Sequence, residues 1–169
     1  MSSSVYRQMR NQAGMSLVEV LVASSVVAVG LSGLLSAVPL AAYGIHEGQN
    51  LSTATFLANQ RLEEVRNAQW TQSPVADSLG VSASSTAAPV TAGVGVTFPD
   101  EAPMAAPYAG YTRTVRITDC GVGLGCGGII DSGMRQVVVS VSYTPVTGTG
   151  QAAAGTTKAA TVGLIMAQR

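Results

Sequence analysis

The carboxylate of Glu19 stands at the start of a run, from Val20 to His46, in which no Asp, Glu, Lys or Arg appears. An unpaired carboxylate in such a setting costs about 2.5–3.5 kcal/mol on membrane-insertion scales, so it is expected to be functional and to have a partner. A Glu at the membrane interface that reaches water is the competing reading. Cys120 and Cys126 are the second chemical candidate, bracketing Gly121-Val122-Gly123-Leu124-Gly125. Two thiols without a nearby His supply half a zinc shell, and a redox pair is more often Cys-x-x-Cys. The single histidine, His46, follows the uncharged run and reads as a solvated or interfacial group. No Gly-x-Ser-x-Gly elbow is present, and the glycine-rich stretch from Gly121 to Gly128 has no Lys for a phosphate. The sequence supports no catalysis, no metal site and no cofactor.

These residues are positioned by elements that composition already constrains. The 169 residues suffice for one domain and hardly for two. Nine Lys and Arg balance nine Asp and Glu, which argues against binding nucleic acid by phosphate neutralisation. Only 11% of residues are charged, against about 25% in ordinary soluble domains. Val20 to Tyr43 supplies 24 uncharged, mostly apolar residues, enough to cross a bilayer as a helix. Arg7 and Arg10 lie before this run, so the N-terminus stays in the cytoplasm and the bulk is exported. A cleavable signal peptide fits poorly, because the run is longer than 7–15 residues and the small-x-small site comes late, at Ala42-Tyr43-Gly44. Export favours a structural disulfide between Cys120 and Cys126, contributing roughly 2–2.5 kcal/mol by loop entropy.

The segment Gly14-Met15-Ser16-Leu17-Val18-Glu19-Val20-Leu21-Val22-Ala23 resembles the processing site of type IV prepilins and type II secretion pseudopilins. The resemblance implies that prepilin peptidase cuts after Gly14 and methylates the new N-terminus at Met15. Glu19 then falls fifth in the mature chain, as in that family, and Met15 departs from the commoner Phe. It also implies that Glu19 pairs with the Met15 α-amine of a neighbouring subunit and sets register during assembly. That pairing would neutralise both charges at low dielectric. The implied partners are other pilin subunits, the peptidase and the inner-membrane assembly platform. Leu57-Ala58-Asn59-Gln60-Arg61-Leu62-Glu63-Glu64-Val65-Arg66 resembles the stem's end in PilV-like minor pilins and the similar pseudopilin I subunits. The implied role is a minor pilin of a type IV pilus serving adhesion or twitching motility. The alternatives are a minor pseudopilin of a type II secretion system and a membrane-anchored exported binding domain. The protein would sit in the bacterial inner membrane as a single-pass precursor, then in a pilus or periplasmic filament.

The expected fold is α+β, a long N-terminal helix packed on a small antiparallel sheet, as in type IV pilins. Residues 1–14 are read as leader, 15–46 as membrane or filament-core helix and 47–70 as its amphipathic half. Residues 71–110 are read as the variable loop and 111–169 as the sheet-bearing head. Small residues such as Ala23, Ala28, Gly30, Gly33 and Ala37 suit close helix packing. Pro39, by removing a donor and crowding Leu35, predicts a kink or local melting. Leu51, Ala54, Ala58, Leu62 and Val65 form one apolar stripe, with Glu47, Gln60, Arg61, Glu64 and Arg66 opposite. Met15 to Trp70 would span about 84 Å as a helix ended by Ser73-Pro74. Beyond it, Val94–Phe98 is the single short strand expected before Tyr111, with the prolines arguing against more. Strands follow at Tyr111–Thr118, Arg135–Tyr143 and Lys158–Ala167, joined by glycine-rich connections in an antiparallel meander. Trp70 is expected to anchor packing at the end of the helix, and Cys120–Cys126 is a shorter bridge than the C-terminal one of many major pilins.

Overall fold

The computed structural model describes residues 16–147, 150–151 and 155–169, so the Gly14–Met15 junction lies outside the described residues. Helix α1 runs from Leu17 to Asn67, 51 residues. Ser16 caps it: its carbonyl accepts from the Glu19 and Val20 amides at 2.9 and 3.2 Å, and its Oγ from the Val18 amide at 3.3 Å. Glu19 therefore occupies the third helical position of a Ser-x-x-Glu sequence, where a negative charge is favoured by the helix dipole. The helix passes through Pro39 without local melting. Proline removes one donor from a ladder that the neighbouring turns continue. The chain separates after Ala42 into two compact units.

In the first unit, every side chain described between Leu17 and Ala42 is exposed. Mean hydropathy over its best 18 residues is 2.1, and the helix is long and apolar enough to cross a membrane.

In the second unit, α1 ends at Asn67 because Trp70 is drawn into β1 (Trp70–Gln72), which pairs antiparallel with β2 (Val75–Asp77). The helix thus ends three residues before Trp70. A second sheet follows, made of β3 (Val81–Ser82), β4 (Pro89–Thr91) and β5 (Gly95–Val96), in the order β3-β4-β5. The expectation of one strand before Tyr111 is therefore corrected. Strands of two or three residues are too short to show a two-residue period, and Pro89 opens β4, a position that tolerates proline. Val94 lies in the turn before β5. Gly80, at φ 72°, is required here: a Cβ would lie 2.8 Å from the Val90 carbonyl.

The main sheet contains β6 (Tyr111–Asp119), β7 (Met134–Tyr143) and β10 (Lys158–Ala167), in the order β10-β7-β6, with β7 central. It is an antiparallel meander, matching the three long strands legible in the sequence to within a residue at each end. Between β7 and β10 lies a small pair, β8 (Val146–Thr147) and β9 (Gly150–Gln151). Val115, Ile117, Val137, Val139, Val141, Tyr143 and Ala160 turn their side chains into one core with Ala54, Leu57, Ala58, Leu62 and Val65 of α1. Val162, Leu164 and Met166 pack at its margin. Leu51 is corrected: it is 48% exposed, and Leu57, at 1%, fills the helix stripe instead. Trp70 is buried as expected.

Candidate processing and assembly site

Glu19 is exposed in the first turn of α1, and among the described residues it makes no ion pair. The helix that follows is prepared for an apolar surrounding. Ser24, Ser25 and Ser32 donate their hydroxyls back to the carbonyls of Leu21, Val22 and Val29 at 3.0, 2.7 and 2.8 Å. Such back-bonding leaves no hydroxyl donor to be satisfied by water. Gly30 costs an isolated helix about 1 kcal/mol relative to Ala, yet a Cβ there would meet nothing within 4 Å. The chain's own described packing does not demand that glycine, whereas close approach of a neighbouring helix would.

At the start of the second unit, α1 is fastened to the sheet by polar contacts. Tyr143 donates its hydroxyl to Glu47 at 2.9 Å, the Val146 amide donates to the same carboxylate at 3.3 Å, and Lys158 Nζ lies 2.7 Å away. Chiefly because of the Lys158 hydrogen bond, the Glu47 carboxyl is held below its usual range. Burial first, and then the bond to Glu47, pushes the Tyr143 hydroxyl up to about 12. One turn on, Asn50 accepts from the Tyr111 hydroxyl at 3.3 Å. Glu47 is thus half-buried against the sheet and not on a wet face, a correction to the sequence reading. Arg61 is also corrected: it bridges Glu64 at 2.6 Å and Glu101 at 3.0 Å while lying over the Phe98 ring. Glu63 and Arg66 pair on the exposed face at 2.7 Å.

Arg113 is a residue that pattern reading passed over. It occupies an inward position of β6, 7% exposed, and donates to both oxygens of Glu101 and to the Leu57 carbonyl. Its alternation with Tyr111, Val115 and Ile117 was the available signal. A second cluster joins Arg135 to Asp77 at 2.9 Å and to the Trp70 ring at 4.5 Å. Burial alone would raise the Asp77 pKa, but hydrogen bonds from Arg135 and from the Gly80 and Leu79 amides outweigh it and lower it.

Cys120 and Cys126 are joined by a disulfide with Cα atoms 4.9 Å apart. Both are buried, and the loop they close is pinned by mutual amide–carbonyl bonds between Cys126 and Ile129 at 2.9 and 3.1 Å. A groove of about 580 Å³ is lined by Arg116 together with Ser82, Ser84 and Ser85. Asp100 takes both ends of that guanidinium, at 2.6 and 2.8 Å. Its charge is committed to shaping the loop. His46 is exposed on α1. Among the described residues, no cluster of three His, Cys, Asp or Glu is placed to hold a metal.

Residues 9–35 match a family model described as the prokaryotic N-terminal methylation motif. The matched segment contains Gly14, Met15 and Glu19 and the apolar run as far as Leu35. The match supports a type IV pilin or pseudopilin family, whose α+β plan agrees with the long N-terminal helix and small antiparallel sheets. No curated protein and no solved structure matches the chain.

Proposed function

We propose that the protein is a structural subunit, a minor pilin of a type IV pilus, cut by prepilin peptidase between Gly14 and Met15 and methylated at Met15. The observation that carries this reading is the continuity of the methylation motif with the exposed, uncharged first half of α1 after Glu19. A leader with Arg7 and Arg10 remains in the cytoplasm, the helix holds the precursor in the inner membrane, and the second unit is exported. During assembly the helix leaves lipid for the company of other pilin helices, with Glu19 pairing with the Met15 amine of a neighbour. That exchange removes two charges from an apolar surrounding at once, which selects one stagger between subunits.

Deleting the gene in its native host tests the role. Loss of surface pili, restored by the wild-type gene, is the expected result. Loss of protein secretion with intact pili would reassign the chain as a minor pseudopilin of a type II secretion system. Normal pili and normal secretion would leave a membrane-anchored exported binding domain.

A further inference from the structure

The two edges of the main sheet are treated differently. On the β6 side, Arg113 and Glu101 exchange both backbone bonds at 2.9 Å, the Met104 amide donates to the Tyr111 carbonyl at 3.0 Å, and the Ile117 amide donates to Ser82 Oγ at 3.0 Å. That edge is closed. On the other side, β10 is 10 residues long and pairs with β7 in unbroken register. Among the described residues no strand pairs with its outer side.

Alternation of the ladder shows which groups that outer side presents. Because Arg113 bonds away from the sheet, Thr112, Thr114, Arg116 and Thr118 are the β6 residues that bond to β7. Carried across β7, the same alternation makes Ala160, Val162, Leu164 and Met166 the β10 residues that bond to it. The amides and carbonyls of Ala159, Thr161, Gly163, Ile165 and Ala167 therefore point away from the sheet. The next two residues agree. Gln168 donates on the β7 side, to the Gly133 carbonyl at 2.8 Å, whereas Arg169 bonds outward, its amide to the Trp70 carbonyl at 3.1 Å and its carbonyl to the Gln72 amide at 2.9 Å. β1 thus stands at the far end of the lane that a fourth strand would follow.

Sheets protect an open edge with charge, proline or a bulge. From Ala159 to Gln168 there is no charged residue and no proline, and the register shows no bulge. On the helix side of the lane, Leu51, Leu62 and Arg66 share one face of α1 by helical period. Leu51 is 48% exposed, and Val162, Leu164 and Met166 are only partly buried at the margin of the core. Arg66 and Arg169 border the lane where it passes Leu164 to Ala167, beside a groove of about 410 Å³.

We propose that the outer edge of β10 is a docking site for an extended segment of a different exported protein, added as a fourth strand. Unpaired strand amides and carbonyls recognise strand backbone, and alternate side chains supply specificity. The segment carries apolar side chains at alternate positions beside Val162, Leu164 and Met166, and an acidic residue beside Arg66 and Arg169. Arg66 holds only the exposed Glu63, and the Arg169 side chain makes no ion pair among the described residues. A second copy is the poorer occupant: antiparallel pairing of two β10 strands would turn the two Tyr43 ends in opposite directions, which chains held in one membrane through the run before Tyr43 cannot do. The inference rests on export of the second unit and not on the filament reading.

Amide hydrogen exchange, followed by NMR on the full-length chain in detergent, tests the edge. Alone, Thr161, Gly163 and Ile165 should exchange at least a hundredfold faster than Val162 and Leu164. The probe is a synthetic peptide of alternating Val and Thr with Asp at both ends, its alternate amides N-methylated so that only one edge can pair. At millimolar concentration it should slow the three fast amides at least tenfold. Replacing its Asp by Lys, or introducing Arg66→Glu with Arg169→Glu, should weaken its binding at least threefold. Outward amides already protected in the chain alone, or left fast by the peptide, would overturn the site; equal binding of the Asp and Lys peptides would overturn the assigned acidic residue. A photo-crosslinking amino acid at Ile165, used in the native host, then reads the occupant by mass spectrometry. Crosslinks to one segment of another exported protein, with alternating apolar residues, are expected. Crosslinks only to a second copy, only to lipid, or none at all would overturn the proposal.

Discussion

Arg113 Nη2 lies 2.8 and 3.0 Å from the two carboxylate oxygens of Glu101, on a sheet face that otherwise carries Val115 and Ile117. The guanidinium also reaches the Leu57 carbonyl, so one side chain joins α1, β6 and the segment before it. Removing Arg113 leaves the half-buried Glu101 with the Arg61 guanidinium alone, at a cost of about 1–3 kcal/mol. Arg113→Ala is therefore expected to lower the urea midpoint of the detergent-solubilised chain sharply. Arg113→Met with Glu101→Leu should recover most of the loss, since it removes both charges and keeps the volume. A double variant as unstable as Arg113→Ala would show that packing, and not the weakened charge pairing, sets the cost.

Leu57 and Leu51 separate the true helix stripe from the inferred one. Leu57→Ala empties a fully buried site and is expected to destabilise by about 3 kcal/mol, the middle of the range for buried Leu. Leu51→Ala alters a half-exposed side chain and should change stability by less than about 0.5 kcal/mol. Equal effects in thermal denaturation would contradict the register of α1 on the sheet.

The polar fastening around Glu47 gives stability two pH limits. Glu47 is held below its ordinary 4.5, so its contribution is present above pH 4.5 and is lost as pH falls through the lower folded value. Asp100, held down chiefly by the hydrogen bond from Arg116, adds to this acid limb. Tyr143 is raised from 10.0 to about 12, so its contribution is complete below pH 10 and disappears as pH rises toward 12. Denaturation followed from pH 3 to pH 12 should show a plateau with a fall at each end. Tyr143→Phe should flatten the alkaline fall and retain an acid one; an unchanged alkaline limb would exclude Tyr143 as its source.

Much of this was legible in the sequence because long elements repeat their pattern. Val137, Val139, Val141 and Tyr143 announce a strand by strict alternation, and all four are buried. The uncharged run after Glu19 announces the helix by length alone. The errors fall where a residue's partner is far away in the chain. Glu47 and Arg61 look solvated by helical period, yet Tyr143, Lys158 and Glu101, distant in the chain, give them polar partners. Arg113 breaks the apolar alternation of β6 because Glu101 meets it, which no local window contains. The two- and three-residue strands between Trp70 and Val96 are stabilised by tertiary contacts such as Thr97 Oγ1 to the Leu79 carbonyl at 2.8 Å, and have no periodicity of their own. Gly14 and Met15 remain matters of motif, lying outside the described residues.

Glu19→Ala tests the assembly role. The core of the second unit is built between Ala54 and Ala160, so its unfolding temperature should not move. Membrane insertion should be retained or improved, because a charge leaves the apolar run. Cleavage after Gly14 should persist. Incorporation into sheared filaments should fall at least tenfold, since the Met15 amine would be buried without its partner. Incorporation at the wild-type level would remove the assigned role.

The central claim is that this chain is a processed prepilin, and the mass of its N-terminal peptide in the native host tests it most directly. The expected mature chain begins at Met15 with a methylated α-amine, the residues through Gly14 having been removed. A chain that retains residues 1–14, or one that begins near Ile45, would contradict it.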